Sequence, residues 1–296
     1  MYNVSIDRIG LVMPVADKEM HAYLCGQFHS MKGEPGFTVW KTKYQTFAII
    51  PLGPHQSLRL QAGVARKKKY LRVDFNPAGL AAQEWALLHA HLDYLVDFGY
   101  ATVLAKSHVT YLEIAADFKG VVWKGLFLFD PALRNSLWHP TYYSPTPTNY
   151  IGRRGSNRVI RAYDRVARLK AAGIPTGDEP VTRIEASLRK LGCKVQALSQ
   201  IANPFKSVGV CRFDDIEAEC PDAEWKQFLK HCRWIGACEA SQLLGPVKKK
   251  YLTLLKSTCC DWWSPDQIWS SYPSALHVLQ GCTKQIVLES DINCKP

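Results

Sequence analysis

Four separated stretches of the chain place charged or polar residues and apolar residues in strict alternation, and this most constrains what it can fold into. In YLEIAADF (111–118), Leu112, Ile114, Ala116 and Phe118 fall on one side and Tyr111, Glu113, Ala115 and Asp117 on the other. RVIRAYDR (158–165) sets Arg161, Tyr163 and Arg165 against Ile160 and Ala162, and VTRIEASLR (181–189) sets Arg183, Glu185, Ser187 and Arg189 against Ile184, Ala186 and Leu188. LRVDFN (71–76) opposes Arg72, Asp74 and Asn76 to Leu71, Val73 and Phe75. A period of two is strand geometry, because successive side chains point to opposite faces of a sheet. These segments predict a sheet with one face in the core and one chemically rich face.

Helical spacing predicts the other elements. Residues 79–98 carry apolar side chains at helical spacing, with Gly99 as a stop. Residues 1–60 read as short strands and turns, with FTVW and TFAIIPL the clearest apolar runs. Two loops are expected, at 131–149 and 171–180, both marked by Pro with Thr or Gly. Residues 222–243 predict a helix, 246–257 a basic helix opening at Pro246, and 265–279 another opening at Pro265. The expected architecture is α+β: a sheet-based body over 1–205 and a smaller, mainly helical region over 206–296. No long repeat is visible, but KKKYL occurs twice, at 67–71 and 248–252.

Charge narrows the partner. Lys and Arg number 37 against 26 Asp and Glu, a net charge of +11, which favours a polyanion, nucleic acid before an anionic membrane. No apolar run approaches the roughly 18 residues of a spanning helix. The opening segment meets acid at Asp7 and Asp17, so a signal peptide is not expected and a cytoplasmic location is. The 10 cysteines contain no CxxC, and His231, Cys232 and Cys238 match no common zinc spacing, so free thiols are expected.

If the four strands share a sheet, one side gathers three or four carboxylates, several arginines and a tyrosine. Carboxylates at i and i+4 can hold a hard cation such as Mg²⁺ or Mn²⁺, arginines neutralise phosphate charge, and a tyrosine can attack phosphorus to form a covalent intermediate. A free phenol titrates at about 10, so Arg161 and Arg165 on either side of Tyr163 are expected to favour its phenolate. The competing account is an ordinary solvated strand face, which alternates in the same way.

These residues also resemble a known family, the Rep_trans replication initiators of small rolling-circle plasmids, which have filamentous-phage relatives. YIGRRGSNRVIRAYDR (150–165) is similar to that family's Y-[IF]-G-x-R-x-S-N-R-x-I-R-x-Y-x-[KR] stretch. LRVDFNPAGL (71–80) resembles its strand ending in F-N-P, YLEIAADF its R-[LI]-D-[LI]-A-x-D-F motif, and VTRIEASLRK (181–190) its W-R-V-E-x-x-L-[KR] motif, all in the family's order. The resemblance covers about residues 70–190. It implies a curved, mostly antiparallel sheet flanked by helices, Tyr163 as nucleophile, and Glu113, Asp117 and Glu185 around a Mg²⁺ or Mn²⁺ ion. The family usually has Asp where this chain has Glu113, and Arg where it has Tyr111, so Arg161, Arg165 or Arg183 would have to hold the phosphate. The implied reaction is origin-specific nicking and rejoining of DNA, giving a 5′-phosphotyrosine and a free 3′-OH primer. The implied partners are an origin hairpin or single-stranded nick site, a host helicase and a DNA polymerase; a homodimer stays open.

Expected phosphate contacts are Lys67, Lys68, Lys69, Arg153, Arg154, Arg158, Lys248, Lys249 and Lys250, with origin binding assigned to 206–296. Tyr150 is read as a structural or base-stacking residue, Ser156 and Asn157 as turn formers, and Trp262, Trp263 and Trp269 as packing residues before stacking platforms. No G-x-x-x-x-G-K-[ST] occurs, so no ATP site is expected, and the nine histidines are scattered apart from His89-Ala90-His91 in the helix-like stretch 79–98, so histidine-metal relaxase chemistry is not expected either. Two other functions remain: a metal nuclease that activates water, with Tyr163 only structural, and a non-catalytic DNA-binding regulator.

Overall fold

Alternation continues well beyond the four segments. Strand β1 (Tyr2–Val15) opens the chain and helix α1 (Lys18–Ser30) comes next, started by Asp17, whose carboxylate accepts from the Glu19 amide at 2.9 Å. This computed structural model describes residues 2–96, 99–131, 133, 136–139, 148–153, 155–219 and 222–279. The chain divides into two units, here called N-terminal (residues 5–113, 190–201 and those described from 273) and C-terminal (1–4, 114–189 and 202–272).

The N-terminal unit continues with β2 (Thr38–Lys41), β3 (Gln45–Pro51), β4 (Ser57–Ala65), β5 (Lys68–Phe75), α2 (Ala82–Leu95), α3 (Gly99–Lys106) and the first half of β6 (His108–Lys119). Its strands lie in the order β2-β3-β4-β5-β1, each pair antiparallel. The register that places Leu11 opposite Val73 and Leu60 opposite Val73 stacks the apolar side of three strands into one core. The α2–α3 arm closes on it through Trp85 and Tyr100, whose rings meet Phe75 edge-on at 5.7 and 6.1 Å. Gly99, expected to end a helix, instead opens α3 with φ 49°.

The C-terminal unit holds the rest of β6, then β7 (Leu126–Phe129), β8 (Ser136–His139), β9 (Thr148–Ile151), β10 (Arg158–Asp164), α4 (Arg165–Ala171), β11 (Val181–Lys194) and β12 (Gly209–Arg212). Here the order is β6-β11-β10-β9-β8, while β7 and β12 form a separate antiparallel pair. Helices α5 (Phe213–Glu219), α6 (Ala223–Ile235), α7 (Ala237–Gln242), α8 (Lys248–Ser257) and α9 (Pro265–Ser270) complete it. Trp225, Phe228 and Leu229 of α6 pack with Tyr251 and Leu255 of α8, and with Phe127 and Phe129 of β7, in one apolar cluster.

The α+β class with a mostly antiparallel sheet and a C-terminal helical part is as expected. Two details differ. The single helix expected over 222–243 breaks at Gly236, whose φ of 85° no L-residue adopts readily. The expected loop at 131–149 contains β8 and the start of β9. The helical segment after 205 falls in the same unit as β10 and β11.

Candidate functional site

Cross-strand register builds the site in the C-terminal unit. On β10 and β11, Arg161 stands opposite Glu185 and Tyr163 opposite Arg183. Directly opposed residues share a face and their diagonal neighbours are within side-chain reach. The Arg161 guanidinium accordingly pairs with Glu185 Oε1, and the Tyr163 hydroxyl donates to Glu185 Oε2 at 3.1 Å. Asp117 of β6 receives two hydrogen bonds from Arg183, Nε to Oδ1 at 2.7 Å and Nη2 to Oδ2 at 2.8 Å. This fork is bidentate and almost fully covered, the strong geometry for an Arg–carboxylate pair.

In place of the competing account, an ordinary solvated face, stands a buried ionic layer: Asp117, Arg183 and Glu185 are all buried, and Tyr163 is only 3% exposed. Buried charges persist when each is paired and hydrogen-bonded, as these are.

Arg165 corrects the strand expected over 158–165. The strand ends at Asp164, whose side chain caps α4 by accepting from the Ala167 amide at 2.9 Å. Arg165 is the first residue of that helix and pairs with Asp117 Oδ2. Helix α4 instead lays Arg168 over the Tyr163 ring, 4.5 Å from its centroid. The expected phenolate is not favoured either. Burial, and then the Glu185 carboxylate, push the phenol up to about 12 against the opposing pull of Arg183, Arg168 and Arg161.

Tyr150 joins the same face. It lies on β9 directly opposite Arg161, on the same face as Tyr163, and is only half-buried. Ser156 and Asn157 hold a turn as expected: the Ser156 amide donates to the Arg153 carbonyl at 2.9 Å and the Asn157 carbonyl accepts from the Arg189 amide at 2.8 Å.

In the N-terminal unit, Glu113 is buried and accepts from the Tyr111 hydroxyl, and Arg8 sits 5.2 Å above the Tyr111 ring. A carboxylate oxygen of Asp7 lies within 4.8 Å of one of Glu113. Two carboxylates at this spacing repel unless a proton or cation lies between them, and an all-oxygen donor set suits a hard divalent ion. The sequence signal for Asp7 is its place in SIDRIG, where it faces away from Ile6. Asp74, on the polar side of LRVDFN, is held by Arg72 at 2.5 and 2.9 Å.

The expected phosphate contacts separate by environment. Lys67, Lys68, Lys248, Lys249, Lys250 and Arg153 are exposed and Lys69 is half-buried. Arg158 is turned inward: it donates to Asp130 Oδ2 at 2.5 Å and to the Pro204 carbonyl at 2.9 Å. Arg154 lies outside the described residues. Trp263 is buried while Trp262 and Trp269 are half-buried. Among the described tryptophans Trp234 at 81% and Trp40 at 42% are exposed, Trp234 on α6 one turn after Lys230 and two after Lys226, a helical spacing visible in the sequence.

No protein-family model matches the chain, and no curated protein matches it. Among solved structures, it is similar to a rolling circle replication initiator protein from Geobacillus stearothermophilus, with 13% identity and a TM-score of 0.41 over 84% of this chain and 97% of the other. It is also similar to DynU16, a protein of the dynemicin biosynthetic locus, with 9% identity and a TM-score of 0.21 over 61% of this chain and 86% of the other. Among the described residues, no helix is long and apolar enough to cross a membrane.

Proposed function

We propose that this chain nicks and rejoins DNA as a rolling-circle replication initiator, with Tyr163 as the nucleophile. The observation that carries the reading is the Tyr163 hydroxyl donating to Glu185 inside a layer of paired arginines and carboxylates. The motif over 150–165, similar to the initiators' own, supports it. The phenol, held by Glu185, gives its proton to solvent, its oxygen bonds to phosphorus, and the 3′ oxygen leaves and is protonated. The products are a 5′-phosphotyrosine and a 3′-OH primer. Rejoining reverses these steps, so the linkage energy is stored without ATP.

The arginines divide the work. Arg161 and Arg165 keep side-chain exposures of 20% and 34%, so each can turn from its carboxylate to a phosphate. Arg183, clamped by Asp117, holds the layer in place. Glu113, Asp117 and Glu185 are the proposed positions for a Mg²⁺ or Mn²⁺ ion, with Asp7 added to them. Such an ion would supply charge neutralisation at the phosphate. Asp117 can join it only by releasing Arg183 or Arg165. Origin DNA is the proposed partner, contacted by the exposed lysines and by the helical region after 206; a helicase and a polymerase would act on the opened product.

The test uses labelled single-stranded origin oligonucleotide with Mn²⁺. A denaturation-resistant adduct should form and map to the peptide containing Ala162-Tyr163-Asp164, and Tyr163→Phe should bind the DNA yet give no adduct and no nick. Because the phenol is pushed up to about 12, adduct formation should rise about tenfold per pH unit between pH 7 and 9, as the phenolate fraction does. A second reading is favoured by the half-buried position of Tyr150 opposite Arg161: a label on that peptide makes Tyr150 the nucleophile. Metal-dependent cutting without any adduct makes the protein a water-using nuclease, and binding without cutting makes it a regulator.

A further inference from the structure

We propose that Cys211 and Cys259 form a dithiol switch in the C-terminal unit, oxidised to a disulfide by an acidic peptide disulfide of the glutathione type that enters beside Cys259. The two Sγ atoms lie 3.8 Å apart and the two residues form an antiparallel backbone bridge. Directly opposed residues in such a bridge have Cα atoms about 4.5–5.5 Å apart, inside the window that a disulfide spans. Side-chain rotation alone therefore closes the bond.

The two thiols have different surroundings. Cys211 is fully buried on β12 and donates to Cys259 Sγ and to the Leu255 carbonyl at 3.4 Å. Cys259 is half-buried and lines a cavity of about 470 Å³ with Lys206, Ser207, Lys256 and Trp263. Lys206 and Lys256 make this the cationic mouth that an acidic disulfide would enter. The hydrogen bond from Cys211, reinforced by a backbone hydrogen bond at Val210 and by Lys256, brings the Cys259 thiol down to about 7, while the Cys211 thiol is pushed up by the same contact and by burial. A thiol near ambient pH is the best attacker in exchange. Burial pushes Cys232, Cys193 and Cys260 the other way.

The exchange balances. The Cys259 thiolate attacks one sulfur of the glutathione disulfide, forming a mixed disulfide and releasing one glutathione thiolate. Cys211 then gives its proton to solvent and attacks Cys259 Sγ, expelling the second glutathione. Two protein thiols are oxidised and one reagent disulfide is reduced to two thiols.

The experiment treats the full chain with oxidised glutathione, quenches with acid and maps the peptides. The expected product is a Cys211–Cys259 crosslink, reversed by dithiothreitol and retained in Cys260→Ser. Cys211→Ser should trap one glutathionyl group on Cys259, and Cys259→Ser should lose both products. If Cys211→Ser does not fold, Cys211→Ala serves for the trap, and the wild-type crosslink decides without either. A trapped group on Cys260 or elsewhere, or a crosslink that leaves out either Cys211 or Cys259, or no crosslink in wild type, overturns the proposal.

Discussion

The pentapeptide KKKYL occurs twice and folds two ways. At 67–71 it turns a hairpin and enters β5; at 248–252 it opens helix α8. The burial is inverted between the copies. In the strand, Leu71 is fully buried and Tyr70 half-exposed, its hydroxyl accepting from Gln61 at 2.6 Å. In the helix, Tyr251 is fully buried, its ring 5.1 Å from Trp225 and its hydroxyl donating to Asp222 at 3.0 Å, while Leu252 is half-buried. The first two lysines behave alike, exposed in both, while the third is half-buried in the strand and exposed in the helix. The residues immediately C-terminal to each copy decide: RVDF continues a period of two, whereas TLLKS continues a period near 3.6. Tertiary context selects the conformation, and the shared element is charge.

The sharpest way to break this comparison is to truncate each copy's apolar pair. Leu71→Ala should cost about 2–5 kcal/mol of stability and Leu252→Ala about 1 kcal/mol, because only the first leaves a closed cavity. The tyrosines should reverse the order, with Tyr251→Ala lowering the denaturation midpoint more than Tyr70→Ala. Chemical denaturation of the four variants measures all of this, and equal losses for the two leucines would refute the inverted burial.

The same contrast explains what was legible beforehand. Period-two alternation located β5, β6, β10 and β11 and put Tyr163, Glu185, Asp117 and Arg183 on one side of their strands, because strand periodicity is written residue by residue. Partnership was not legible. That Arg183 clamps Asp117 depends on neighbouring strands brought together from residues 66 apart. That Arg165 leaves the strand depends on Asp164 acting as a helix cap, a role its type permits and its position in RAYDR conceals. Arg168 carries no signal in a segment that reads as strand through to 165. Nothing local in a period of two separates a buried ionic layer from a wet face, since both need only alternation.

The two lysine clusters sharpen the comparison at the level of DNA. Removing one cation that touches a phosphate should flatten the salt dependence of binding by about 0.9 log units per log unit of salt on duplex. Replacing Lys67, Lys68 and Lys69 with Ala, or Lys248, Lys249 and Lys250 with Ala, should therefore flatten the slope by up to about 2.7 for either cluster. Their effects on folding should differ. The α8 lysines sit in the first turn of a helix with no side-chain cap, against the helix dipole, so removing them should stabilise the fold by a few tenths of a kcal/mol per residue. Filter binding across salt, with thermal denaturation of the free protein, separates the two. A slope that either triple variant leaves untouched removes that cluster from the interface.

The smallest effect on the salt slope is expected at the hairpin tip, where stability and binding should move in opposite directions. Ala65 pairs with Lys68, so Arg66 and Lys67 are the entire loop, with φ of 49° and 67°. A two-residue hairpin turn with both φ positive favours Asn-Gly, since side chains with a Cβ are strained there. Two long cations at these positions give up local stability and place their charge at the farthest point of the hairpin. Arg66→Asn with Lys67→Gly should relieve the strain and raise stability by about 1–2 kcal/mol, while the β4–β5 register, and with it Leu71 in the core, stays fixed. Binding to duplex should weaken, and its salt slope should flatten by up to about 1.8 for the two charges removed. A gain in stability with no loss of affinity would mean that the tip does not touch DNA. A loss of stability would mean that Arg66 or Lys67 holds the hairpin by an interaction that outweighs its strained backbone.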